Sequence, residues 1–172
     1  MRILRYSTSS VFLAEVISFY CPRTLYVKYV KKHELHRVTF DGAIKNNALG
    51  MNPNEKMAVV ASSENSEVVI YDLVNGKVQG VLKNYVTPRN IIFAPDGKSF
   101  YISDSSKGVV DRIDSESFQT INQYAIGPGA FGTALNSDGK ALYVNNQSSD
   151  SVTVMNTETG VAQAVIKGFA QP

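Results

Sequence analysis

Two histidines, one cysteine and a set of recurring carboxylates are the side chains of this 172-residue chain with the widest chemical range. His33 and His36 flank Glu34, and such a trio could suggest a metal site. In a strand, however, residues three apart point to opposite faces, so one ion could not readily take both imidazoles. The segment reads instead as a basic surface strand, and no metal ligands are assigned. Lys28, Lys31, Lys32 and Arg37 stand there with the two histidines, Tyr26 and Tyr29, a mixture that can hold nucleic acid. Residues 1–42 carry seven basic and three acidic side chains, which is thin support, so any such binding should be weak and salt-sensitive. Cys21 is the only cysteine, which excludes an internal disulfide and a cysteine-based zinc site within one chain. Its plain reading is a buried thiol. No Ser–His–Asp arrangement and no G-x-S-x-G elbow can be drawn, so no catalytic residue is assigned.

Three local patterns resemble cofactor motifs and fail on context. Gly127-Pro128-Gly129-Ala130-Phe131-Gly132 spells G-x-G-x-x-G, but a dinucleotide fingerprint needs a helix after it, and a strand pattern follows here. Asp96-Gly97-Lys98-Ser99 ends like a phosphate-binding loop, yet Ile92 stands where the earlier glycine belongs. Both read as turns, so no cofactor is expected. Asn146-Gln147-Ser148 is an N-glycosylation sequon, which matters only in a eukaryotic secretory pathway. Asp72, Asp114 and Asn156 recur at equal spacing, and the two carboxylates among them could pass for catalytic or metal-binding groups. Recurrence gives a simpler account, in which each accepts backbone N–H bonds in the turn after a strand.

That recurrence leads to the elements. From Pro88 to Gly168 the chain holds two copies of one pattern. Asp96-Gly97-Lys98, then Phe100-Tyr101-Ile102-Ser103, then Val109 to Asp114 is followed by Asp138-Gly139-Lys140, then Leu142-Tyr143-Val144-Asn145, then Val152 to Asn156. The step is 42 residues, and it extends upstream through Asn54, Lys56 and Asp72. Each unit alternates short runs of β-formers with Asp-Gly, Asn and Ser punctuation, which predicts four short antiparallel strands per unit. That is the size of one propeller blade. Leu25-Tyr26-Val27 matches Leu142-Tyr143-Val144 and marks an eroded fourth copy, with lost residues expected between Gly42 and Gly50. Residues 1–12 fit no part of the unit. The predicted blades are 13–45 (degenerate), 48–83, 88–127 and 129–168, within one all-β domain and short of a full ring.

The pattern Pro-Asp-Gly-Lys-x-x-Tyr-Ile-Ser at 95–103, with its sister Ser-Asp-Gly-Lys-x-Leu-Tyr-Val-Asn at 137–145, resembles the YVTN-type β-propeller repeat. The resemblance covers 48–168 well and 13–45 weakly. It implies a seven-bladed relative, so this chain resembles a piece of a longer propeller. It also implies a binding or scaffold role in a surface-layer or periplasmic setting. Related propellers include lactonase-like enzymes, whose Glu, His and Arg would surround the channel. The copies at 48–168 contain no histidine, which weighs against that activity.

The expected function is therefore a non-enzymatic module that presents loops on one face of a propeller. The candidate ligand-facing residues are Glu64, Asn65, Arg89, Asp104, Lys107, Asn145, Asn146 and Asp150. A lactonase-like hydrolase with its catalytic residues in missing blades is the second reading. A truncated product without independent function is the third. The partner is an unidentified protein or small ligand, and open blade edges allow self-association. The net charge of +2 argues neither for nor against a polyanion. Arg2, Arg5 and Val11 to Tyr20 make a poor signal peptide because Glu15 interrupts the apolar core. No run of 18 apolar residues exists, so no membrane-spanning helix is predicted.

Overall fold

The computed structural model describes residues 2–8, 12–18, 24–29, 34–39, 47–63, 66–170 and 172, with side chains from Ala48 onward. It is all-β among these residues. Sixteen strands form four antiparallel sheets, each ordered as the chain runs. The first holds β1 (Arg2–Thr8), β2 (Phe12–Ser18), β3 (Thr24–Tyr29) and β4 (Glu34–Thr39). The second holds β5 (Asn47–Met51), β6 (Met57–Ser62), β7 (Glu67–Asp72) and β8 (Lys77–Leu82). The third holds β9 (Pro88–Phe93), β10 (Ser99–Asp104), β11 (Val109–Asp114) and β12 (Thr120–Ala125). The fourth holds β13 (Ala130–Leu135), β14 (Ala141–Asn146), β15 (Ser151–Asn156) and β16 (Ala162–Lys167).

The first sheet differs from the sequence expectation. Arg2–Thr8 is its first strand, paired from Arg2↔Ser18 to Thr8↔Phe12, so Arg2–Thr8 does not stand outside the unit. Leu25-Tyr26-Val27 lies on the third strand of its sheet, whereas Leu142-Tyr143-Val144 lies on the second. Four strands are complete by Thr39, and no lost strand is needed between Gly42 and Gly50. The physical reason is that a Leu-Tyr-Val run reports β-propensity, which any strand of a sheet can carry.

In the other three sheets the 42-residue step recurs in the backbone itself. Left-handed conformations fall at Glu55, Gly97 and Gly139, at Ser66, Gly108 and Asp150, and at Gly76, Phe118 and Gly160. Members of each trio are 42 residues apart. The first trio sits in the hairpin between first and second strands. There Asn54, Asp96 and Asp138 each accept the N–H of the lysine two residues on, at 3.0, 3.0 and 2.8 Å. The side chain replaces a ladder bond and fixes the tight reversal. The third trio follows the third strand. Asp72 accepts from Val74 and Asn75, Asp114 from Glu116 and Ser117, and Asn156 from Glu158 and Thr159. The recurring carboxylates are turn residues, as their spacing implied.

Sheets two to four pack face to face. First strands lie side by side, β5 against β9 and β9 against β13. A β-carbon on Gly50 would stand 2.5 Å from Ile91 Cγ2, so β5 and β9 approach this closely only because Gly50 has none. β10 is buried along its whole length. Alternation sends Phe100 and Ile102 into a core with Val59, Val68 and Ile70 of the second sheet. The same alternation sends Tyr101 into a core with Leu142, Val144 and Met155 of the fourth. A strand with apolar residues on both faces is what a sheet between two sheets requires. Each such side chain contributes about 1.5–3 kcal/mol by leaving water.

Candidate functional site

The loops after the second strand of the second to fourth sheets, together with the connections between those sheets, form one rim among the described residues. Thr87 O accepts the Ser105 N–H at 3.0 Å, Ser105 O accepts the Gly129 N–H at 2.9 Å, and Gly129 O accepts the Gln147 N–H at 3.1 Å. This relay of backbone bonds passes from connection to loop and from the third sheet to the fourth. Ser66 Oγ donates to Val86 O at 3.2 Å and ties the loop of the second sheet to the same rim.

Asp104 is the anchor of the rim, and the structure corrects its assignment as a ligand-facing residue. It is 0% exposed. One oxygen accepts the Val86 N–H at 2.7 Å, and the other accepts those of Thr87, Ser106 and Lys107 at 3.1–3.2 Å. Four backbone donors occupy the carboxylate, which leaves it no face for a ligand. One repeat later the place of Val86 is taken by Pro128, which has no N–H to give. The place of Thr87 is taken by Gly129, whose N–H is spent on Ser105 O. With the donors gone the carboxylate is replaced by Asn146, also buried, whose Nδ2 reaches Ile126 O at 3.4 Å and whose Oδ1 has no partner. Burial likewise takes Asn146 out of the ligand-facing set, and it removes the sequon nitrogen from the surface of the folded chain.

The remaining candidates divide. Arg89, at the start of β9, is half-buried. Its guanidinium lies 5.5 Å from the Phe131 ring centre and its Nε donates to Ser105 Oγ at 3.2 Å. Lys107 is exposed, donates to Asn84 O and stands 5.9 Å from the Tyr85 ring centre. Both cations are held over aromatic faces, which fixes their position at small cost in charge. Asn145 is half-buried on β14, and Asp150 is an exposed residue at a left-handed turn position with φ 47°. Glu64 and Asn65 lie outside the described residues, as do Cys21 and His33, and no side chain is described at His36. Rim atoms that sequence reasoning missed include Thr87 Oγ1 and Ser106 Oγ, which share a hydrogen at 2.6 Å. Their signal was weak, because Ser and Thr mark any turn.

Electrostatics mark the turns at the opposite end of the strands. The Asn75 side chain, followed by the backbone donors of Asn75 and Val74, holds Asp72 below the ordinary carboxylate value. Ser117, through its backbone and then its hydroxyl, does the same for Asp114. Beneath the rim, burial and the neighbouring Asp111 push the Tyr85 phenol far above its ordinary value, so it is a fixed hydrogen-bond donor. Among the described residues no group of three or more His, Cys, Asp or Glu side chains could hold a metal ion. No described helix is long and apolar enough to cross a membrane.

A solved structure of hydrazine synthase from Kuenenia stuttgartiensis matches this arrangement with a TM-score of 0.76 at 19% sequence identity. The match covers 89% of this chain and 45% of that one. The fold is propeller-like. The chain spans less than half the length of that structure, and 1134 solved chains match in all, so likeness of this kind marks a fold and singles out no activity. No family model matches the chain, and no curated protein matches it.

Proposed function

We propose that the chain is a non-enzymatic binding or scaffold module of the YVTN-repeat kind, which engages a protein or small ligand through the rim. The observation that carries this is the backbone relay from Thr87 through Ser105 and Gly129 to Gln147. It makes two loops and two connections one rigid surface, and rigid presentation lowers the ordering cost of binding. Exposed polar side chains stand on that surface at Ser106, Lys107, Gln147 and Ser148. The carboxylates that could have served chemistry are spent on backbone donors at Asp72, Asp104 and Asp114, which supports binding over catalysis.

The test compares the wild type with a Ser106→Arg, Gln147→Arg double variant on defined peptide and glycan arrays. Signals that the variant loses while its fold is intact support the rim. Signals indifferent to the variant point elsewhere on the molecule. Lactone hydrolysis is assayed in parallel, with and without divalent metal. Turnover above buffer that a rim substitution abolishes would establish the hydrolase reading instead.

A further inference from the structure

The repeat is its own control for which rim residues the fold demands. Turn residues such as Asp96 and Asp138 recur at the 42-residue step because the backbone needs them. Arg89 does not recur. The same place on the first strand holds Asn47 one repeat earlier and Phe131 one repeat later, so a sheet of this kind forms without a cation there. The Arg89 side chain is nevertheless held in place. Its Nε donates to Ser105 Oγ at 3.2 Å, and its guanidinium lies 5.5 Å from the Phe131 ring centre. Those contacts use one edge and one face of the group. Among the described residues its two Nη groups meet no acceptor and no carboxylate pairs with it. Asp104, the carboxylate of the adjoining loop, is spent on four backbone donors. The third and fourth sheets alone build this place, which lies on the rim beside Ser105.

We propose that Arg89 is the specificity-determining contact of the rim and takes a carboxylate of the ligand, supplied by an Asp or Glu side chain of a peptide segment. The inference rests on the reading of the rim as a binding surface and adds what that surface selects. A guanidinium offers two parallel N–H groups that match the two oxygens of a carboxylate, and such charge-assisted pairs are about twice as strong as neutral ones. Arg89 is half-buried, so salt screens its pair less than one between fully exposed chains. Ser105 and Phe131 already hold the guanidinium, which lowers the ordering cost of the pair. One fork suits one planar, singly charged group. A phosphate would call for more positive charge, and Lys107, the other cation of the third sheet's rim loop, has its ammonium on Asn84 O. A peptide is favoured over a free organic acid by what adjoins the fork along the relay. Ser106, Gln147 and Ser148 are exposed, neutral and able both to donate and to accept, as a peptide backbone requires.

The test uses the full chain on a peptide array in which every Asp or Glu peptide is paired with its Asn or Gln counterpart. Affinities of the strongest pairs are then measured in solution for the wild type, Arg89→Gln and Arg89→Lys. The wild type should bind the acidic member about tenfold or more tightly than its amide counterpart. Arg89→Gln should remove that preference, and Arg89→Lys, which keeps the charge and loses the fork, should remove most of it. Both variants should bind the amide members as the wild type does and keep its far-ultraviolet spectrum, which separates a lost contact from a lost fold. No preference between paired members, a preference that survives both substitutions, or an equal loss of both members would overturn the proposal. Those results leave the rim reading standing if Ser106→Arg with Gln147→Arg still abolishes the peptide signals. Peptide binding indifferent to that double variant would overturn the rim and this proposal together. Succinate, titrated calorimetrically, tests the source of the carboxylate. Its binding through Arg89, with no peptide on the array bound, would overturn the peptide, and so would an array with no signal at all.

Discussion

Tyr101 and Tyr143 occupy the same place in successive repeats, on the second strand of the third and fourth sheets. Tyr101 is 1% exposed, its ring stacked 6.2 Å from Tyr124 and capped by the Arg112 guanidinium at 5.7 Å. Tyr143 is 39% exposed. Residue type and strand position are shared, so neither explains the difference. The neighbour does: one tyrosine has a sheet in front of it and the other has solvent. In a repeat fold the sequence pattern sets which residues could be core, and the adjacent unit decides which of them are.

The largest expected effect breaks this pair apart. Tyr101→Ala should cost about 3–5 kcal/mol in chemical denaturation, because a filled site between two sheets becomes a cavity. Tyr143→Ala should cost about 1 kcal/mol or less, as an exposed site does. Equal costs would show that Tyr143 is as well packed as Tyr101.

Next in size is the contrast between Asp104 and Asn146, again one repeat apart. Asp104→Ala leaves four part-buried backbone donors of the rim without their acceptor and should cost about 2 kcal/mol. Asn146→Ala removes one long hydrogen bond and an acceptor with no partner, so about 1 kcal/mol is expected. Amide exchange at Val86 and Thr87 should accelerate in the first variant alone. If those amides stay protected in Asp104→Ala, the carboxylate is not their anchor.

The hairpin turns supply a smaller contrast. Gly139 has φ +73° and its added β-carbon would stand 3.1 Å from Pro95, whereas Gly76 has φ +65° with nothing within 4 Å. Gly139→Val should lower stability by about 1 kcal/mol or more through backbone strain and crowding. Gly76→Ala carries the strain alone and should cost less. An unchanged melting temperature for Gly139→Val would count against its place in the turn.

The smallest effect is a pH dependence. Asp72 and Asp114 have folded pKa values below their unfolded ones. Their contribution is therefore full above about pH 4 and is lost as pH falls through the depressed folded values. Asn156 makes the same two backbone bonds with no charge to titrate. Asp72→Asn with Asp114→Asn should thus leave neutral stability nearly unchanged and flatten the acid limb. An unaltered acid limb, followed by thermal melts from pH 6 to pH 2, would deny these turns a share in it.

How much of this was legible in the sequence follows from what each signal measures. Asp96-Gly97-Lys98 and Asp114 declare local backbone chemistry, which a sequence carries completely, and the turns lie where their spacing places them. The all-β class followed from the same local signals. Arg2–Thr8 was missed because a first strand without its Asp-Gly turn has only composition to announce it. The rim was half legible. Asp104 and Asn146 stand in polar loops, and polarity alone does not tell an exposed ligand contact from an anchor that has turned inward. That distinction depends on whether Val86 and Thr87, some 18 residues upstream, offer free N–H groups. The clue was present in Pro128, whose missing N–H matches the change from Asp104 to Asn146.

Native-state hydrogen exchange tests most directly the claim that neighbours decide burial. The amides of β10, in the sheet covered on both faces, should exchange slowest and only through global unfolding. Those of β14 should open more readily, and β16, whose side chains are exposed along its length, should exchange fastest among the second to fourth sheets. In Tyr143→Lys this gradient should persist unchanged. Exchange in β16 as slow as in β10 would contradict the account, because the side chains of β16 are exposed and those of β10 are buried.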